Sequence, residues 1–264
     1  ASNNTGVGYR SLYTNTTGTS NCAVGTNALR DNVTSSNNTA VGKDALKLNT
    51  AAANTAVGFA ALEASTSGEK NVAIGSGSML LNTTGEKNVA IGSDCLDANT
   101  IGTQNVAVGA SALGKNTTAS NNTAVGRLAL FENTTGTANT AVGANALDAN
   151  TTASNNTASG NYTLGDNTTG TNNTALGRDA LGSNTTASNN TALGYDALQL
   201  NTTGTQNTAV GALALDANTT AGDNTAVGYA ALGSNTTGGS NTAVGHIALL
   251  VNTTGQFNTA VGRG

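Results

Sequence analysis

The 264-residue sequence predicts an all-β fold: one parallel β-solenoid of about sixteen 17-residue coils. Three observations predict it. First, the pentapeptide Asn-Thr-Ala-Val-Gly stands whole at Asn38–Gly42 and Asn258–Gly262, with close variants between, such as Asn71–Gly75 and Asn190–Gly194. Its copies begin at Asn4, Asn21, Asn38, Asn54, Asn71, Asn88, Asn105 and Asn122, then at Asn139, Asn156, Asn173, Asn190, Asn207, Asn224, Asn241 and Asn258. Every interval is 17 residues except one of 16, between Asn38 and Asn54. A short fixed period of this kind decides the architecture before any local signal does.

Second, there is no Pro or Trp, aromatics make up 3% and charged residues 9%. So few large apolar side chains cannot fill a globule, but they can fill a thin core if each coil stacks on its copy. So polar a chain could also be disordered, but the strict phase of Val and Leu argues against that. Third, Gly recurs in each coil and β-branched residues cluster, so helices are excluded and short strands with turns are favoured.

Numbering a coil from the pentapeptide Asn gives Asn-Thr-Ala-Val-Gly, two variable positions, Ala-Leu, two variable positions, Asn-Thr-Thr-Gly and two more variable positions. Position 4 is Val, Ile or Leu in every copy except Ser159. Position 2 exchanges Thr for Val at Val72, Val89 and Val106, and for Cys at Cys22. Residues two apart on a strand share a face, so positions 2 and 4 are read as facing inward and position 3 outward. One core ladder is therefore Val41, Val57, Ile74, Ile91, Val108 and Val125. Position 9 supplies the second, with Leu113, Leu130 and Leu147 as examples and Met79 as its one variant. Position 14, mostly Thr but also Ala51 and Ile101, is assigned inward too. Gly at position 5 and small residues at position 15 mark the bends. Asn at positions 1 and 12 recurs in register and is expected to bond along the stack, satisfying turn backbone groups. The short coil loses its residue in the turn Thr50-Ala51-Ala52-Ala53.

The variable positions carry nearly all the charge, including Lys43, Glu69, Lys70, Glu86, Lys87, Arg127 and Asp179, and most aromatics: Tyr9, Phe59, Tyr195 and Tyr229. These are the solvated corners. Neither end carries a capping coil, which implies a fragment of a longer array or end-to-end neighbours. At the strand spacing the whole array would run roughly 75 Å.

Function classes narrow next. A net charge of −4 with scattered cations leaves no basic stripe for nucleic acid. No apolar run is long enough for membrane insertion. His246 is the only His, so no catalytic residues, metal site or cofactor are expected, and it is assigned to a solvated corner. Cys22 and Cys95 lie four coils apart, about 19 Å at the strand spacing and beyond disulfide reach. Both are read as small buried residues. The Asn-Thr-Thr runs match the N-glycosylation acceptor pattern, with a structural Asn turn as the alternative. Thr rows raise ice binding, with position 13 as the exposed row.

Position 3 is Ala in fifteen copies and Gly6 in the other. An outward site on a solvated face would vary, so uniform small residues point to a closely packed neighbouring chain over Ala73, Ala90, Ala107, Ala124 and Ala141. The alternative is a flattened coil that buries Ala internally.

The stretches Lys70-Asn71-Val72-Ala73-Ile74-Gly75-Ser76 and Lys87-Asn88-Val89-Ala90-Ile91-Gly92-Ser93 resemble the head repeat of trimeric autotransporter adhesins of the YadA type. The full coil is also similar to repeats in phage tail fibres and large bacterial surface proteins. The resemblance implies a left-handed parallel β-roll, extracellular and often trimeric, used as a stalk or adhesive head. The adhesin repeat is usually shorter, and the Asn-Thr-Thr-Gly turn is the addition here. The expected function is thus non-catalytic: a rigid extracellular or cell-surface fibre or adhesin shaft. It would self-associate as a trimer or filament and contact host-surface or matrix glycans. A phage or viral tail-fibre segment binding a host surface, and an ice-binding solenoid, are the alternatives.

Overall fold

The computed structural model describes residues 1–264 and contains strands and turns but no helix. Each coil contributes one strand of three residues at positions 2–4 of the repeat. The first compact unit, Ala1–Thr135, holds β1 (Thr5–Val7), β2 (Cys22–Val24), β3 (Thr39–Val41), β4 (Thr55–Val57), β5 (Val72–Ile74), β6 (Val89–Ile91), β7 (Val106–Val108) and β8 (Thr123–Val125). The second, Gly136–Gly264, holds β9 (Thr140–Val142), β10 (Thr157–Ser159), β11 (Thr174–Leu176), β12 (Thr191–Leu193), β13 (Thr208–Val210), β14 (Thr225–Val227), β15 (Thr242–Val244) and β16 (Thr259–Val261). Within each unit, strands pair in parallel with the next in sequence, like on like: Val72 with Val89, Ala73 with Ala90, Ile74 with Ile91. This is the β-solenoid that the periodicity requires. Strand segments punctuated by two turns imply two short strands in each coil, but only one forms and the rest of the coil runs as turns.

The interior is the reverse of the sequence reading at the strand. Ala40, Ala73, Ala90, Ala107, Ala124 and Ala141 are fully buried inside their own chain, so they do not line a chain-to-chain face. The position-4 row assigned to the core points out: Val41 and Val125 are 37% exposed and Ile74 and Ile91 39%, with Val57 and Val108 half-buried. The strand alternates as expected, but with its two faces exchanged. A one-residue change of phase moves a whole set of side chains to the other face. A coil this thin has room for only one large ladder, and Leu29, Leu113, Leu130, Leu147 and their equivalents fill it completely buried. Facing them, position 3 holds Ala or Gly and position 8 holds Ala or, at Ser11, Ser78, Cys95 and Thr163, another small residue. Position 14 is also corrected: it lies on the outside, with Ile101 53% exposed.

The core Leu is held in an unusual backbone. In the coil from Asn105, Ser111, Leu113 and Asn121 take φ of 56°, 52° and 63°, and the same three positions repeat around the stack. A left-handed residue other than Gly costs about 1–2 kcal/mol. Full burial of a Leu side chain contributes about 1.5–3 kcal/mol, which offsets it. The neighbouring coils lock the geometry, since Leu113 N–H donates to the Ala129 carbonyl at 3.0 Å and Ser111 N–H to that of Ser93 at 3.0 Å. Gly at position 5 answers a closer approach. At Gly92 (φ 136°) a Cβ would stand 2.7 Å from the Gly109 carbonyl oxygen of the next coil.

Two buried Asn ladders complete the interior. Asn71 Oδ1 accepts from the Asn88 N–H at 2.9 Å, and Asn88 Nδ2 donates to the Gly102 carbonyl at 2.8 Å. From the other side, Asn99 Nδ2 donates to that same carbonyl at 3.1 Å and to Asn82 Oδ1 at 2.7 Å. Each position-15 carbonyl of this kind is clamped by both ladders, so the amides are satisfied despite complete burial. Amides so enclosed have no open nitrogen to carry a sugar, so the Asn-Thr-Thr runs are structural turns in the folded chain.

The 16-residue coil shows what a deletion costs. Its strand register is kept, Thr39 with Thr55, because the missing residue is position 14 of the outer turn. Asn49 Nδ2 now reaches the Ala51 carbonyl two residues on, where Asn82 reaches Gly85 three residues on. On either side the ladder is broken: Asn32 Oδ1 and Ser65 Oγ are buried without a partner, Ser65 standing where other coils have Asn. Replacing Ser65 with Asn restores a ladder member. The expected gain is about 1 kcal/mol, a rise of about 2–4 °C in melting temperature, measured by circular dichroism. A fall in melting temperature would contradict the ladder's role.

Candidate interaction face

Outward positions 2 and 4 make a flat strand face whose successive strands lie about 4.8 Å apart. In β5, β6 and β7 it is wholly aliphatic: Val72, Ile74, Val89, Ile91, Val106 and Val108 lie side by side and partly exposed. No strand residue in any of the sixteen copies carries a charge. Immediately before β5 and β6 stand Glu69, Lys70, Glu86 and Lys87, all exposed, so a charged rim borders the aliphatic patch. That arrangement, apolar centre and polar border, is the anatomy of a protein interface. In the second unit the same face alternates rows of different chemistry. Position 2 is Thr in every strand from β9 to β16, beside an aliphatic row broken only by Ser159.

The exchange of Thr for Val at Val72, Val89 and Val106 suggests an inward row, yet these residues are only half-buried and lie on the outer face. The informative signal was the invariance next door. Beside the strand, the interior at position 3 admits only Ala or Gly, whereas the outer rows accept Thr, Val, Cys, Ile or Leu. Uniformity, not bulk, marks the core of a thin coil.

The remaining candidates fall away from this face. Position 13 is not a free hydroxyl row: Thr83 Oγ1 donates to the Thr100 carbonyl at 3.0 Å, and Thr100 to Thr117 likewise at 3.0 Å. The exposed Thr of that turn is position 14. His246 lies at its exposed corner and stacks on Tyr229, ring centroids 5.4 Å apart. Cys95 replaces Ala at position 8, where burial pushes its thiol up to about 11 and the Sγ donates to the Gly109 carbonyl at 2.9 Å. It is a protonated interior residue, whereas Cys22 sits half-buried on the outer face. No helix is long and apolar enough to cross a membrane.

No protein-family model matches the chain, and no curated protein matches it. The likeness to adhesin heads and fibre repeats therefore rests on the repeat motifs alone.

Proposed function

We propose that this chain is a structural element of an extracellular or cell-surface fibre, an adhesin shaft or head segment. On this reading it assembles by packing its strand face against further copies of itself. The observation that carries the reading is the aliphatic patch of β5 to β7, open on a face whose strands hold no charge. Two copies of such a face meet without burying an unpaired charge, whose desolvation would oppose the contact. A three-residue strand is about 10 Å long, so the eight strands of each unit present about 400 Å² of face to a partner. Trimers are the expected assembly, following the adhesin resemblance. Host-surface or matrix glycans are the expected contacts. The chemistry proposed is binding and support, without catalysis, cofactor, nucleic acid or membrane insertion.

Sedimentation equilibrium at micromolar concentration tests the reading. The expected result is the mass of three chains or an open filament. A single-chain mass of 25.7 kDa at every concentration would overturn it.

The Thr row of β9 to β16 favours one second reading. Regular hydroxyls beside regular aliphatic groups on a flat face can order water into an ice-like layer. A chain that stays monomeric and shapes growing ice crystals would establish this reading in place of assembly.

A further inference from the structure

The repeats are so uniform that departures from them stand out, and they gather in the coil beginning at Asn156. Ser159 is its non-aliphatic position 4, Tyr162 is the one aromatic at position 7, and Thr163 is the one Thr at position 8. Beside them lies a groove of about 180 Å³, lined by Tyr162, Gly165, Asp166, Asp179, Ser183 and Gln199 together with Gly182. The groove exists because two successive coils carry Gly at position 10, Gly165 and Gly182. Most other coils hold a side chain there, Phe131, Asp148 and Gln199 among them, and neither glycine has a left-handed φ. The turn does not require these glycines. What they do is leave a dent in the corner row.

The floor and walls are fixed. Tyr162 N–H donates to the Ala144 carbonyl at 3.1 Å, Gly165 N–H to that of Tyr162 at 3.2 Å, and Ser183 N–H to that of Gln199 at 3.0 Å. Thr163 Oγ1 ties the same coil to the Gly177 carbonyl at 2.6 Å. The ring of Tyr162 is half exposed. Asp179 is paired with Arg178 at 2.9 Å, which leaves Asp166 as the uncompensated charge among the lining groups.

We propose that this groove is a binding site for a single pyranose ring at the tip or branch of a glycan. The volume is below the roughly 300 Å³ at which pockets for drug-sized ligands begin, and so suits one ring. An aromatic face beside hydrogen-bonding groups matches a sugar, which has an apolar C–H face and a rim of hydroxyls. Asp166 and Asp179 accept from hydroxyl groups, Ser183 accepts or donates, and the Gln199 amide does both. The fixed backbone means little ordering on binding. A quaternary ammonium ion is the competing ligand for an aromatic ring beside carboxylates. The Arg178–Asp179 pair argues against it.

The site gives the glycan contact of the proposed function a location, yet it does not depend on assembly, because all lining residues belong to one chain. Saturation-transfer NMR on the full chain with millimolar glucose, galactose and N-acetylglucosamine tests it. At least one sugar should receive magnetisation, with binding at least tenfold weaker in Tyr162→Ala and lost in Gly165→Gln, which fills the dent. Tyr229→Ala, a corner aromatic elsewhere, should leave binding unchanged. No transfer to any of the three sugars, or equal binding in Gly165→Gln, would overturn the proposal. So would displacement of the sugar by tetramethylammonium. If Gly165→Gln fails to fold, Tyr162→Ala against Tyr229→Ala decides. A monomer that binds sugar would refute assembly and keep the site, whereas an oligomer that binds none would do the reverse.

Discussion

Replacing Ala107 with Gln should unfold the first unit around β7. The Ala107 side chain is completely enclosed, with Ala90 below it and Ala124 above in the same row. A Gln there adds volume to a packed interior and buries an amide with no free partner. Overpacking costs about 1–3 kcal/mol and an unsatisfied buried amide about as much again, so the expected loss is about 3–5 kcal/mol. The neighbouring substitution Val108→Gln provides the comparison. Val108 lies one residue on and faces outward, so the same amide reaches water and the expected loss is below about 1 kcal/mol. Urea denaturation followed by circular dichroism measures both. Loss of stability in Val108→Gln but not in Ala107→Gln would restore the opposite orientation of the strand.

That comparison also shows how far the sequence could be read. The coil count, the strand position, the Leu ladder and the two Asn ladders follow from period and residue type, and the structure has them. Ala73 and Ile74 illustrate the part that was not legible. Alternation says that they face opposite ways, but hydrophobicity assigns the larger residue to the core. The interior is too narrow for that rule: Leu at position 9 takes the available volume, and Ala is what remains possible opposite it. Thr50 and Ala51 show a second limit. The missing residue is legible, but its position in the turn becomes clear only when Asn49 is seen bonded to the Ala51 carbonyl. The left-handed φ of Leu113 could not be read from residue type at all, since Leu disfavours it and neighbouring coils impose it. The groove at Gly165 was hidden for another reason. Its residues look like ordinary variable positions until consecutive coils are stacked.

The outward aliphatic rows have a direct consequence for assembly. Ile74 and Ile91 are paired neighbours at 39% exposure each, in the middle of the patch. Lysine at both places sets two like charges about 4.8 Å apart on the proposed contact. In a single chain those ammonium groups remain in water, so the coil itself should lose little stability. Against a second copy they would be buried without partners, at a cost of several kcal/mol each, which shifts association by several powers of ten. The decisive measurement is therefore the sedimentation-equilibrium mass of Ile74→Lys/Ile91→Lys beside the unaltered chain. With strand content and melting temperature kept, the double variant should sediment as single chains of 25.7 kDa, while the unaltered chain sediments as an oligomer. An oligomer of unchanged mass in the double variant would contradict the assignment of this face as the contact between chains.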